Sequence, residues 1–446
     1  MPRVTRIFCA ATPLGAATLA AALDAGLFEP ADRRLLLLTN NAPHPETTPG
    51  VDAVPGFERL RRRFDDVLSW NAAISPLHPR GWSPRADDVP MWERHLRRLW
   101  GLGDDEVRLA VESVHDHPSL ALCQVFTGAP VDVCADGLVA YGPSPEKLDP
   151  LVGTRIDRLL HLDLVPGLTP LLLTEFDVAP EVVPGEALLK VLGELDEEGA
   201  EPTGAPENPA LLLGQRLAAL GALTDAEEEE LHLALVRGAV ALGHRRLVFA
   251  PHPAAPARWS RHLVEEAARH GAGLTVLEGP LPAELAVRRL RPAVVVGGSS
   301  TALFTTAALY GVPVARAGTR ELLARITPYH HRHRVPAVVA DVLLPDAGDR
   351  EAVEHWTMPS RERVAELAAL LRAVGYAMQP RVDPGLRGDA ESYLSARLSP
   401  ATRPYFTRRR LTSLALPGAV PARLAFVPRN ATVRRIARRA RSLVRR

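Results

Sequence analysis

Ala293–Gly311 reads AVVVGGSSTALFTTAALYG. The apolar, β-branched run to Val296 has the length of a buried strand. Gly297 and Gly298 let the backbone turn, and Ser299, Ser300 and Thr301 are residue types that open a helix. A buried strand that passes through glycines into a helix is half of a βαβ unit, and such units build parallel sheets. Working outward, the same alternation recurs. Before this stretch come ALLLGQ (210–215), the helical-period segment ELHLALVRGAVALG (230–243), RRLVFAPHP (245–253), a helix from about Trp259, LTVLEG (274–279) and a helix on PAELAVRRL (282–290). After it comes VPVARAG (312–318). The first half repeats the scheme with strands expected at RIFCA (6–10), RLLLLTN (34–40), FDDVLSWN (64–71), VRLAVESV (107–114), VDVCADG (131–137) and DRLLHLD (157–163).

Between the two series, GELDEEGAEPTGAPENP (193–209) is acidic, proline-bearing and without period, which predicts an exposed linker near residue 200. The fold class expected is therefore α/β with two doubly wound, Rossmann-like domains facing a cleft, and ligands are expected in that cleft at the carboxyl ends of the strands. We divide the chain into residues 1–200, 207–345 and a helical extension over 346–446. The last forty residues, 407–446, carry 12 arginines and no Asp or Glu. In VRRIARRARSLVRR (433–446), Val433, Ile436, Ala440 and Leu443 share one helical face with arginines around it. Peripheral contact with an anionic membrane is expected of it, with a disordered basic tail as the alternative. Nucleic acid is not expected as a partner, because aromatic residues for base stacking are missing after Phe426.

The chain has 446 residues, 46% of them hydrophobic, which excludes wholesale disorder. Its 53 basic and 52 acidic residues nearly cancel, so the whole chain is no polyanion-coating protein. All the basic residues but Lys147 and Lys190 are arginine, a bias that speaks of coding preference more than of function. Cys9, Cys123 and Cys134 are an odd count without metal-ligand spacing, which favours a reduced cytoplasmic setting. VTRIFCAATPLGAATLAAALDAG (4–26) has the composition of a leader, but Pro13 and Gly15 interrupt it and Asp24 ends it. A strand, a tight loop and a helix are expected there instead.

Three places put reactive groups at the ends of expected strands. Asp136 follows an apolar strand and precedes Gly137, so a sharp turn can leave its carboxylate in the cleft as a general base; a turn-capping role is the alternative. His252 stands where a strand meets Pro253. There it can donate a hydrogen bond or a proton to a phosphate oxygen, or serve structure alone. Ser299, Ser300 and Thr301 offer hydroxyls and amides at a helix start, suited to an anion, although GxxxxGK[ST] is absent. HDHP (115–118) and YHHRHR (329–334) have metal-like composition without partner spacing and are expected in solvated or cleft-edge roles, with the arginines of the second as candidate contacts for an anionic acceptor. Trp70 and Asn71 either line the acceptor side or belong to the core.

Taken in order, the Asp-Gly, His-Pro and Ser-Ser/Thr motifs, about 115 and 47 residues apart, resemble those of the bacterial sialyltransferase and polysialyltransferase families of GT-B glycosyltransferases. ATPLGA (11–16), LLLGQ (211–215) and PAEL (282–285) add to the resemblance, which covers roughly residues 5–345. One departure is Ala135, where the family commonly has a first acidic residue; it leaves Asp136 as the candidate base. The resemblance implies inverting, metal-independent transfer of sialic acid from CMP-sialic acid to a glycan acceptor in surface (capsule) polysaccharide synthesis, with no cofactor. It assigns Asp136 as base and His252 to the departing phosphate. Ser299, Ser300 and Thr301 would hold that phosphate, and Gly214, Gln215, Pro253 and Glu284 the nucleotide. Alternatives are a Kdo- or glycerol-phosphate-type transferase with another CMP- or CDP-linked donor, or a non-catalytic nucleotide- or membrane-binding paralogue.

Overall fold

The computed structural model describes residues 3–135, 137–196, 207–251, 257–277, 279 and 281–419. Seven strands form the first sheet: β1 (Val4–Ala10), β2 (Arg33–Leu38), β3 (Asp66–Ser69), β4 (Glu106–Val111), β5 (Val131–Ala135), β6 (Ile156–Leu162) and β7 (Ala179–Val183). Five form the second: β8 (Ala210–Leu213), β9 (Arg246–Ala250), β10 (Gly273–Val276), β11 (Val294–Gly297) and β12 (Val314–Arg316). The orders are β3-β2-β1-β4-β5-β6-β7 and β10-β9-β8-β11-β12, and every pairing is parallel. Each order reverses once, between β1 and β4 in the first sheet and between β8 and β11 in the second. Loops leaving the two strands at such a point travel to opposite faces and open a crevice at the carboxyl ends. The chain therefore has the GT-B-like, two-lobed α/β architecture.

The strands form because their side chains are swallowed on both faces. Ile7, Phe8, Leu35, Leu36 and Leu109 are fully buried, as continuous apolar runs in a parallel sheet require. Helices Pro13–Asp24, Gly185–Asp196, Ala283–Leu290, Arg334–Leu343 and Arg361–Met378 contribute to one continuous apolar cluster that reaches both sheets. The last of these helices follows the second lobe yet rests on the first: a Cβ on its Gly375 would stand 3.4 Å from Pro143 and 3.6 Å from Leu171. Just beyond it, Thr174 Oγ1 donates to Asp383 Oδ2 at 3.2 Å. The extension thus ties the lobes together. No helix among the described residues is long and apolar enough to cross a membrane. Residues 420–446, including most of the arginine-rich end, lie outside the described residues.

Three expectations need correction. The acidic stretch does not begin as a linker: Gly193–Asp196 is the last turn of a helix, and Asp196 is held there by Arg288 Nε at 2.8 Å and Arg289 Nε at 2.6 Å. Strand β7 was not expected. It is a half-exposed edge strand with Pro180 inside it, so it lacks the apolar run that betrays a central strand. The strand at 64–71 stops at Ser69, whose hydroxyl caps a short helix opened by Trp70.

Candidate active site

At the reversal in the second lobe, the loop after β8 meets the loop after β11. Gln215 Oε1 accepts from Ser299 N, and Gln215 Nε2 donates to Ser299 Oγ, both at 3.2 Å. The approach needs Gly298, where a Cβ would come within 2.7 Å of Gln215 Oε1. The loop is itself pinned by helix Asp225–Ala241. Glu228 accepts from Leu217 N (2.6 Å) and Ala218 N (2.8 Å), and His232, one turn on, accepts from Gln215 N at Nε2 (3.0 Å). Both side chains are buried. Gly214 N donates to Ala250 O at 2.9 Å, joining the same loop to the end of β9, from which His252 follows two residues later.

The three consecutive hydroxyls have three different partners. Ser299 Oγ accepts from Gln215, Ser300 Oγ accepts from Ala302 N at 3.2 Å, and Thr301 Oγ1 accepts from Leu138 N at 3.3 Å. A hydroxyl carries one donated proton beside its lone pairs. Each oxygen is already accepting from an N–H, and among the described residues none of the three protons has an acceptor. Three O–H donors are thus left at the start of helix Thr301–Thr305, which a π-wound turn, Thr306–Tyr310, prolongs.

The Thr301 bond spans the lobes, since Leu138 lies just past β5. Gly137 is extended, and a Cβ there would stand 2.8 Å from Thr301 Oγ1. The structure therefore sets the Asp-Gly segment of the first lobe against the Ser-Ser-Thr segment of the second. Asp136, His252 and Pro253 themselves lie outside the described residues. Glu284 is buried in the second lobe, and its Oε1 accepts from Thr305 Oγ1 at 2.9 Å.

Sequence reasoning missed Glu112, which does in the first lobe what Gln215 does in the second. It follows β4, and its carboxylate accepts from Ala11 N, Thr12 N and Thr12 Oγ1 after β1, each at 3.0 Å. Gly15 makes room for it: a Cβ there would fall 1.6 Å from Glu112 Oε1. The available signal was an acidic residue closing the apolar run VRLAVE. His232 and Glu228 gave none, because an i, i+4 pair of buried polar residues on a helix reads as ordinary amphipathic patterning.

The two histidine-rich motifs meet at the junction of the lobes. Arg332 forms an ion pair with Asp116, and His331 and His333 stack with ring centroids 5.4 Å apart. Arg334 is spent on the protein, donating to Tyr329 O, Leu323 O and Ile326 O from a buried position, which corrects the expectation for that residue. Trp70 is fully buried against Trp82 and Trp100, a core residue. Asn71 bridges to Asn40, accepting from its N at 2.9 Å and donating to its O at 3.0 Å. Among the described residues no group of three or more His, Cys, Asp or Glu is arranged to hold a metal ion.

Burial pushes the imidazoles of His232 and His115 down to about 4 and that of His333 to about 3, so all three are neutral near pH 7. For His232 this suits its role, because only a neutral ring can accept at Nε2. An unfolded histidine titrates near 6.5, so between there and about 4 the unfolded chain binds more protons. Stability is full above that window and is lost as pH falls through it. We expect denaturant midpoints to drop between about pH 7 and pH 4.5, with His232 contributing on the order of 3 kcal/mol. His232→Gln, which keeps a neutral acceptor, should flatten part of that slope.

Residues 6–319 match the family model of alpha-2,8-polysialyltransferase (POLYST), well over half of the chain. The chain belongs to the alpha-2,8-polysialyltransferase family. It is accordingly a glycosyltransferase, and a nucleotide sugar and a glycan acceptor are its partners. No curated protein matches it. Solved structures with a similar course include a putative UDP-N-acetylglucosamine 2-epimerase from Listeria monocytogenes, 14% identical over 86% of this chain and 98% of that one, with a TM-score of 0.43. A UDP-glucosyltransferase from Polygonum tinctorium is 13% identical over 91% of this chain and 97% of its own, with a TM-score of 0.38.

Gln215 offers a direct test of the geometry of this loop. Gln215→Leu strips the partner from the Ser299 amide and hydroxyl in a place only 2% exposed, which costs about 1–3 kcal/mol per group left unpaired. We expect a lower melting temperature and a donor KM raised about tenfold or more in steady-state assays. Gln215→Glu should raise it further, because its charge would stand beside the hydroxyls.

Proposed function

We propose that the protein transfers sialic acid from CMP-sialic acid to a glycan hydroxyl with inversion and without a metal ion. The observation that carries this reading is the set of three O–H donors on Ser299, Ser300 and Thr301, each oxygen already accepting from one N–H, beside the segment that bears Asp136. Such donors suit one phosphate monoanion, and they gain strength where water is excluded. Asp136 takes the proton of the acceptor hydroxyl as it attacks the anomeric carbon. The bond from that carbon to the CMP phosphate breaks, and the electron pair leaves on a phosphate oxygen. His252 and the three hydroxyls meet the charge that gathers there. Gly214, Gln215 and Pro253 line the nucleotide pocket, and Glu284 accepts from a ribose hydroxyl. The arginine-rich end would hold the enzyme at an anionic membrane surface, where a surface polysaccharide is elongated.

The test is a transfer assay with CMP-sialic acid and sialylated oligosaccharides, with excess EDTA, reading the anomeric configuration of the product by NMR. Inverted product formed at an undiminished rate under EDTA is expected. Turnover of another CMP- or CDP-linked donor alone, or turnover that EDTA abolishes, would refute the reading.

A further inference from the structure

Helix Val89–Leu99 lies between β3 and β4 in the first lobe and buries little of itself, with Leu96 its one fully buried side chain. Its sequence, VPMWERHLRRL, sets Met91, His95 and Leu99 in one i, i+4, i+8 row and Arg94 and Arg98 in the row beside it. Both rows face outward. Met91 is 58% and Leu99 53% exposed, and Arg94, His95 and Arg98 are exposed with them. Neither row contains an acid. The one carboxylate of the helix, Glu93, accepts from Arg97 Nε at 2.9 Å, whereas Arg94 and Arg98 have no hydrogen-bond or ion-pair partner among the described residues.

Beside the arginine row runs a shallow groove of about 600 Å³, lined by Arg94, Arg97 and Arg98 against two acids, Glu93 and Asp104, with Gly101 and Gly103 leaving it open. Trp92, only partly buried, packs edge-on against Trp82 at 4.7 Å and against His95 at 5.7 Å. Exposed apolar side chains among free cations mark a contact surface, and their chemistry selects the partner. A hydrated, anionic sugar chain offers nothing to Met91 and Leu99. A lipid leaflet offers acyl chains to those two, headgroup phosphates to Arg94 and Arg98, and the interfacial zone that tryptophan favours.

We propose that the outer face of helix Val89–Leu99 is a docking surface for an anionic lipid leaflet: Met91 and Leu99 enter between the headgroups, and Arg94 and Arg98 hold their phosphates along the groove. The contact is separate from the arginine-rich end and does not depend on which donor the enzyme uses. A terminal basic segment only tethers the enzyme, whereas a face on the lobe itself fixes how the enzyme lies on the bilayer.

The test uses the full-length protein carrying Met91→Cys labelled with a polarity-sensitive fluorophore; Cys9, Cys123 and Cys134 are buried and do not compete for the label. Phosphatidylcholine vesicles, with and without phosphatidylglycerol, are titrated in. A blue-shifted, brighter emission is expected with the anionic vesicles alone. Adding Arg94→Gln and Arg98→Gln should raise the lipid needed for half of that shift about tenfold or more, since each arginine near an anionic leaflet is worth about 1 kcal/mol, or about fivefold. In the unlabelled protein, Met91→Ser with Leu99→Ser should weaken cosedimentation with the same vesicles. Both double variants should melt with wild type, because all four side chains are exposed. Cosedimentation without any change at position 91 would leave the arginine-rich end as the contact and overturn the proposal, as would no binding to vesicles at all. An unchanged lipid requirement in the arginine variant would also overturn it. So would an emission change with a soluble sialylated oligosaccharide and none with vesicles, which would give the face to a glycan. Failure of the CMP-sialic acid reading in the transfer assay leaves these outcomes untouched.

Discussion

Asp136→Asn is expected to lower kcat about a thousandfold while leaving the melting temperature and the donor KM close to wild type. The substitution keeps size and shape but removes the basic carboxylate that, on the proposed mechanism, accepts the proton of the attacking hydroxyl, and a positioned general base is worth about 10²–10⁴ in rate. Nothing adjoining in sequence replaces it, since Ala135 occupies the preceding position. Glu112 follows the neighbouring strand β4, but its carboxylate is engaged by Ala11 and Thr12. A loss confined to kcat separates a base from a turn cap, because losing a cap would lower stability and leave the rate nearly unchanged.

His252→Ala is expected to reduce kcat about a hundredfold, with a smaller rise in donor KM. On the proposed mechanism the imidazole meets charge that grows on the phosphate as the glycosidic bond breaks, so its contribution would be larger in the transition state than in the ground state. The three hydroxyls remain in the variant and, on that mechanism, would continue to hold the nucleotide. A rise in KM with kcat unchanged, read from steady-state kinetics on purified protein, would show that His252 only binds.

The sheets were legible because central parallel strands must be apolar on both faces. RIFCA, RLLLLTN and AVVVGG announce themselves, whereas β7, at an edge and partly wet, does not. The motif residues were legible because open parallel sheets bind ligands at the carboxyl ends of their strands, where reactive residue types stand out in sequence. What they touch was not. The serine pair looks like a plain phosphate nest in sequence, but the division of its hydroxyls among Gln215, Ala302 and Leu138 depends on contacts across as many as 163 residues. Glu112 reaches Ala11 across 101 residues for the same kind of reason.

These readings share one requirement, that the two lobes present Asp136 on one side of a sugar-sized gap and His252 with Ser299 and Ser300 on the other. A crystal structure of the protein with CMP measures it most directly. The account predicts the phosphate within hydrogen-bond distance of His252, Ser299 and Ser300, with the Asp136 carboxylate across the cleft. CMP bound elsewhere, or Asp136 turned to another surface of the molecule, would contradict it.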